Sequence, residues 1–255
     1  MSLTYDANNN NIVYCYKSIG QTPYELSQII KKICNSDLIC FSGRLDPLAH
    51  GKMMFLLNEE IKNINVYNKH NKIYKFSFVI GLSTDTTDYL GIFNNNNYMN
   101  DINIEELIKY IKSYSKKTYN QKYHKFSSYM PHNMEIKKPL WWWSINKPDQ
   151  LIHDNYAKPV SVHEIEIKNI KSISSIDLIK DAIKNIKLVK QQTFRNNIIL
   201  DQWENMLKMN ELKYIELTCM IHVSSGFYIR QFVQDLSDKF KVKMIVTDIE
   251  RIDFT

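Results

Sequence analysis

The sequence predicts a single α/β (α+β) domain in which helices and strands alternate along a chain of 255 residues. Two patterns carry this reading. Apolar residues recur at helical spacing in some stretches, as in Leu26, Ile29, Ile30 and Ile33, and alternate with polar ones in others, as in Val160-Ser161-Val162. An apolar share of 44% suffices for a sizeable core.

In chain order, the first helix is predicted over 23–33, with Thr22 as its N-cap. It leads into Phe41-Ser42-Gly43-Arg44-Leu45-Asp46-Pro47-Leu48-Ala49-His50-Gly51. There Gly43 permits a backbone conformation closed to other residues, and Pro47 fixes its own φ and pushes Asp46 toward extended geometry. A carboxylate so restricted is either ordinary turn chemistry or a reactive group kept ionised by a cation. A strand is expected over 75–80 with Tyr74 at its start, placing Asp85 and Asp88 in the following loop. The asparagine run at 94–97 reads as a solvated loop tip.

A second helix should begin at Asn103, with Glu106 completing a capping box, Ile104, Leu107, Ile108 and Ile111 facing inward, and Lys109, Lys112, Lys116 and Lys117 outside. The Trp141-Trp142-Trp143 run reads as a strand with at least one core tryptophan, and packing is favoured over base stacking. A strand over 159–167 changes phase at His163-Glu164, where a bulge fits. Helices follow over 175–190 and 196–209. Lys180, Lys184, Lys187, Lys190 and Arg195 can share a face there, either for phosphate contact or as a solvated outer surface. A strand over 215–223, a helix over 228–240 and a final strand or strand pair over 242–252 complete the chain.

A net charge of +6 and a pI near 8.9 suit a polyanionic partner, though such a balance alone is weakly specific. Cys15, Cys34, Cys40 and Cys219 show neither metal-ligand spacing nor a disulfide framework. Residues 1–11 are polar, and no apolar run is long enough to cross a bilayer, so the expectation is a soluble, cytoplasmic protein with no membrane partner. Phosphate-loop and dinucleotide glycine motifs are absent.

The segment from Gly43 to Gly51 resembles the catalytic motif Gly-x-Leu-Asp-Pro-x-Ala-x-Gly of the TruB family of tRNA pseudouridine synthases. Three further segments resemble that family in order. They are Lys17-Ser18-Ile19-Gly20, with Ser18 at the proline position; Lys72-Ile73-Tyr74 with Gly81-Leu82-Ser83-Thr84-Asp85-Thr86-Thr87-Asp88; and Gly226-Phe227-Tyr228-Ile229-Arg230 with Asp235-Leu236. The stretch 121–128 is fainter, with Tyr123 and His124 at the family's proline positions. The resemblance covers residues 12–252, with poor matching over 122–158 and 170–213.

The resemblance implies the pseudouridine synthase fold, a central mixed, largely antiparallel sheet flanked by helices. It implies one catalytic domain over 1–255, with a helical insertion at 173–211 and no appended C-terminal RNA-binding domain. The implied reaction isomerises a uridine in the TΨC loop of tRNA without metal, redox cofactor or nucleotide. By resemblance Asp46 is the nucleophile, Arg230 its cationic partner, and Tyr74 stacks on the uracil and relays a proton. Asp85, Tyr228 and Ile249 match positions that shape the pocket, and Lys17 and Arg251 match basic positions near the cleft. Arg44 is placed to touch the RNA backbone. Phe41 stands where the bacterial family has a histidine that fills the space left by the flipped base, so substrate choice stays open. The implied partner is tRNA or a tRNA-like stem-loop, bound by a monomer. The alternatives are a synthase for another stem-loop RNA, or an RNA-binding or RNA-folding protein with lost or redirected activity.

Overall fold

The computed structural model describes residues 3–6, 8–94, 101–132, 136–151, 156–191 and 194–255. Their strands form one sheet: β1 (Leu3–Tyr5), β2 (Ile12–Lys17), β3 (Ile39–Ser42), β4 (His50–Leu57), β5 (Lys72–Ile80), β6 (Lys117–Lys122), β7 (Ala157–Ser174), β8 (Lys213–Val223) and β9 (Met244–Phe254). The order is β1-β2-β4-β9-β5-β8-β7-β6, with β3 also paired to β4. Only β4 and β9 pair in parallel, through His50 with Glu250 and Gly51 with Arg251. The expected mixed, largely antiparallel sheet is therefore present.

Strand β5 bonds β8 on one side and β9 on the other, so its alternating side chains bury on both faces. The short α2 (Ile64–Tyr67) lies between β4 and β5, and Phe76 and Phe78 point to the larger core, which takes in Leu26 and Ile30 of α1 (Pro23–Ile33), Leu107 and Ile111 of α3 (Ile104–Lys112), and Phe232, Val233 and Leu236 of α7 (Ile229–Phe240). Val79 points the other way, into a second core with Leu178, Ala182 and Ile186 of α5 (Ser175–Leu188) and Ile199 and Trp203 of α6 (Asn196–Met206). The two expected helices of the 175–209 region thus cover the second face of the sheet. Trp203 is fully buried and donates its indole N–H to the Tyr89 carbonyl at 3.2 Å.

Helix α1 carries the expected Thr22 cap, reinforced by a reciprocal capping box with Glu25. Only Leu26 and Ile30 of its expected stripe are buried, while Ile29 and Ile33 stay exposed. At α3, Asn103 accepts from the Glu105 and Glu106 amides. Among the described residues no bond returns from the Glu106 side chain, so the expected box is a one-sided cap. The tryptophan run is a helix, α4 (Leu140–Asn146), rather than a strand. Pro139 sits at its N-cap in extended geometry, and the helical turn buries Trp143 while exposing Trp141. The β7–β8 register shifts at His163, as the phase change suggested, and again between Ile167 and Asn169. The final segment is one strand. Of the asparagine run, 95–97 lie outside the described residues. No described helix is long and apolar enough to cross a membrane.

Candidate active site

The loop between β3 and β4 presents Asp46, and buried cations fix both of its ends. Gly43 has φ of +69°, and a Cβ there would lie 3.0 Å from Arg251 Nη1, so the expected special backbone is real. The Asp46 carbonyl accepts the Ala49 amide at 3.1 Å, closing a turn with Pro47 at its second position. Lys17, fully buried at the end of β2, donates to the carbonyls of Ser18 (3.2 Å), Pro47 (3.1 Å) and Ala49 (2.5 Å). Burial pushes its pKa down to about 7, although three carbonyl acceptors call for the three N–H bonds of the ammonium form. Arg251 donates from Nε to Lys52 O (2.7 Å) and from Nη1 to Gly43 O (3.0 Å). Burial lowers its pKa too, with Tyr74 opposing the shift. Lys17 and Arg251, expected near the cleft, are both buried and donate to backbone carbonyls around the Asp46 loop.

Asp46 faces Arg230, in the first turn of α7. Arg230 Nε donates to Asp46 Oδ2 at 2.7 Å, and Asp88 Oδ2 lies 3.5 Å from the same nitrogen. Nη1 donates to the Thr86 carbonyl (2.9 Å) and to His124 Nδ1 (3.2 Å), and Nη2 to the Phe126 carbonyl (3.4 Å). The guanidinium is only 5% exposed, whereas the Asp46 side chain is 34% exposed at the mouth of the cleft. Burial alone would lower the Arg230 pKa, and so would a helix N-terminus, but Asp46 and Asp88 reverse this and raise it. Asp88 is raised by burial, with Arg230 and the Thr86 hydroxyl, which donates to Oδ1 at 2.6 Å, pulling it back.

The cleft has two lobes that meet at Arg44, Asp46 and Arg230. One, of about 180 Å³, is lined by Lys72, Tyr74, Tyr228 and Ile249. The other, of about 260 Å³, is lined by Tyr24, Phe126, Trp141, Phe194 and Arg195. The Tyr228 phenol is pushed up to about 12 by burial and by Asp46 nearby. Lys72 and Lys158 are each lowered to about 8 by burial. The Lys158 ammonium lies over the Tyr123 and Tyr228 rings at 4.7 and 4.8 Å.

The structure therefore brings Asp46, Tyr74, Arg230, Arg44, Tyr228 and Ile249 together. It does not place Asp85 or Phe41 on either lobe. Asp85 accepts both terminal nitrogens of Arg195, at 2.7 and 3.1 Å, and the Ile92 amide at 2.9 Å, so it ties its loop to the α5–α6 connection. Phe41 packs edge-on against Phe55, beneath Arg44. The shared basic face is also corrected, because Arg195 turns inward to Asp85 and stacks over Phe126 at 5.0 Å. Asp88 and His124 were not among the expected site residues. Asp88 closes the quoted Thr-Asp-Thr-x-Asp block and could have been taken from it; His124 carried no such signal.

Residues 31–138 match the model of the TruB family pseudouridylate synthase N-terminal domain. Over 243 residues the chain is 22% identical to tRNA pseudouridine synthase B of Clostridium perfringens, covering 95% of this chain and 66% of that one. Over those residues the chain is similar to the TruB family. A Mesoplasma florum relative of the same name is 24% identical over 246 residues, 96% of this chain and 69% of that one. One from Ureaplasma parvum is 25% identical over 232 residues, 91% and 81%. The chain thus spans just under two thirds of the Clostridium relative's length. Among solved structures, that of a Cbf5–Nop10–Gar1 complex aligns with a TM-score of 0.53 at 14% identity, over 95% of this chain and 48% of that one. An H/ACA ribonucleoprotein bound to a substrate RNA containing 2′-deoxyuridine gives 0.52 at 13% identity, over 95% and 47%. At such identity the likeness concerns the fold alone.

Proposed function

We propose that this chain is a TruB-family RNA pseudouridine synthase that isomerises a uridine in the TΨC loop of tRNA. The observation that carries this reading is the pairing of a cleft-mouth Asp46 with a buried Arg230 at 2.7 Å, in a cavity also lined by Tyr74 and Tyr228. Arg230 binds one oxygen of Asp46, and the other remains to attack the target nucleoside. That oxygen bonds to the sugar as the glycosidic C–N bond breaks, the uracil turns within the lobe, and a ring carbon bonds to the sugar as the Asp46 oxygen leaves. That carbon then loses a proton while the freed ring nitrogen gains one, so the net change is an isomerisation. Tyr74 is the stacking face and the proton relay, Ile249 the apolar wall, and Tyr228 a polar edge. Arg44, between the lobes, contacts the RNA backbone.

The target nucleotide must leave its stack to reach Asp46, which costs a few kcal/mol that aromatic and polar contacts in the lobes recover. The relatives named tRNA pseudouridine synthase B support tRNA as the substrate class. Phe41, in place of a histidine, favours a second reading in which another stem-loop RNA is the target. Helices α5 and α6 act in either reading as an insertion in the catalytic domain, held to it through Asp85 and Arg195. Unmodified tRNA transcripts incubated with the protein, with pseudouridine mapped at single-nucleotide resolution, test the proposal. One T-loop site that vanishes with Asp46→Asn supports it; tRNA binding without conversion by the wild type overturns it in favour of another target or a binding protein.

A further inference from the structure

His124 occupies a place where the chain departs from the TruB family's pattern, and it is buried against Arg230. Its ring is the middle of a hydrogen-bond chain whose direction is fixed from its outer end. The Gln234 amide nitrogen lies 3.0 Å from Asp238 Oδ1, and a carboxylate accepts only, so the Gln234 NH₂ faces Asp238 and its carbonyl faces inward. That carbonyl is 2.8 Å from the Thr87 hydroxyl, which must therefore donate to it. The Thr87 oxygen then offers a lone pair to His124 Nε2 at 3.1 Å, so Nε2 carries the proton. Nδ1 is left bare, and two donors converge on it: the Phe126 amide at 3.1 Å and Arg230 Nη1 at 3.2 Å.

A second observation points to the same place. Thr87 is fully buried and has φ of +59°, in the left-handed region that a β-branched residue rarely adopts. That conformation aims the Thr87 hydroxyl at His124 while the preceding carbonyl, of Thr86, accepts from Arg230 at 2.9 Å. The unusual backbone thus serves one guanidinium from two directions.

We propose that His124, locked as the Nε2–H tautomer by Thr87, Gln234 and Asp238, is a positioning residue that orients Arg230 toward Asp46. Without the bare Nδ1, one Nη1 hydrogen loses its acceptor and the guanidinium plane is free to turn, taking Nε off Asp46 Oδ2. The inference rests on the proposed reaction, because the orientation of Arg230 affects turnover only if Asp46 reacts.

The test uses the whole chain and two readouts. Long-range ¹H–¹⁵N correlation of the imidazoles at neutral pH, with His124 assigned by its loss in His124→Asn, is expected to show a protonated Nε2 and a bare Nδ1. An Nδ1–H tautomer or a doubly protonated ring overturns the inference whether or not the protein is active. In single-turnover conversion of a tRNA transcript, His124→Asn places an amide oxygen near the Nδ1 position and should stay within about fivefold of wild type. His124→Gln places its amide nearer Nε2, loses the acceptor and should slow conversion about 30-fold, the usual weight of a charge-assisted hydrogen bond, with RNA binding within about twofold. Thr87→Val keeps the branched shape, removes the lock and should mix the tautomers and slow conversion about tenfold. Equal losses in Asn and Gln, or a Thr87→Val protein with one Nε2–H tautomer and full rate, overturn the inference. If the wild type converts no RNA, the reaction reading fails and the tautomer measurement alone decides.

Discussion

Two carboxylate–arginine pairs stand on either side of Thr86, and their shortest contacts have the same length. Arg230 meets Asp46 at 2.7 Å, and Arg195 meets Asp85 at 2.7 Å. What differs is how each is used up. Arg195 grips both oxygens of Asp85, and both side chains are 19% exposed, so that pair is closed on itself. Arg230 takes one oxygen of Asp46 and spends its other hydrogens on carbonyls and His124, while among the described residues no bond to Asp46 Oδ1 is present. An ion pair is structural when it saturates the carboxylate and is suited to chemistry when it leaves an oxygen facing a cavity.

The largest expected difference between the pairs is in turnover. On the proposed reaction, Asp46→Asn removes the nucleophile and should reduce pseudouridine formation by about 10⁴-fold or more, whereas Asp85→Asn should cost about tenfold or less. Single-turnover assays of both variants check this, and comparable losses would erase the distinction. Next comes stability. Arg230→Ala leaves Asp88 buried beside no cation and should cost about 3–5 kcal/mol in urea denaturation. Arg195→Ala removes a partly exposed pair and should cost about 1 kcal/mol. A larger loss at Arg195 would make the α5–α6 tie the main stabilising pair.

The smallest effect concerns Asp235, which accepts from the Gln231 side-chain amide at 2.7 Å. Burial raises its pKa from 3.8 to about 6. The folded state then holds this proton more tightly than the unfolded chain, so its contribution is present below about pH 4 and is lost as pH rises to about 6. Asp235→Asn should flatten that part of a stability–pH profile; an unchanged slope would assign it to other groups.

The Asp46 loop and Arg230 were legible because short motifs encode them directly: Gly43 needs its positive φ, and Pro47 its fixed one. Burial was not legible in the same way. Lys17 and Arg251 look like ordinary cations in sequence, and only the pairing of β2 and β9 with β4, which sets both beside Gly51, brings them to the carbonyls of the loop. Arg195 was misplaced for the related reason that helical spacing predicts a face, while its own left-handed φ of 60° at the cap of α6 turns it inward. The tryptophan run failed as a strand because three large apolar residues in succession carry no period of their own. Strands β1, β2, β3, β4 and β6 went unread, since β-structure depends on partners distant in sequence.

The β4–β9 contact also bears on the order of synthesis. Gly51 has φ of +114°, and a Cβ there would sit 2.3 Å from the Arg251 carbonyl, so the two backbones meet without a side chain between them. Strand β9 lies between β4 and β5, although it follows both by more than 160 residues in the chain. A nascent chain that has produced Asp46 has not yet made the arginine that holds its loop, and the sheet stays divided until β9 emerges. A chain made only as far as residue 250 holds Asp46 but not the Arg251 brace of its loop, so the geometry around Asp46 waits for β9.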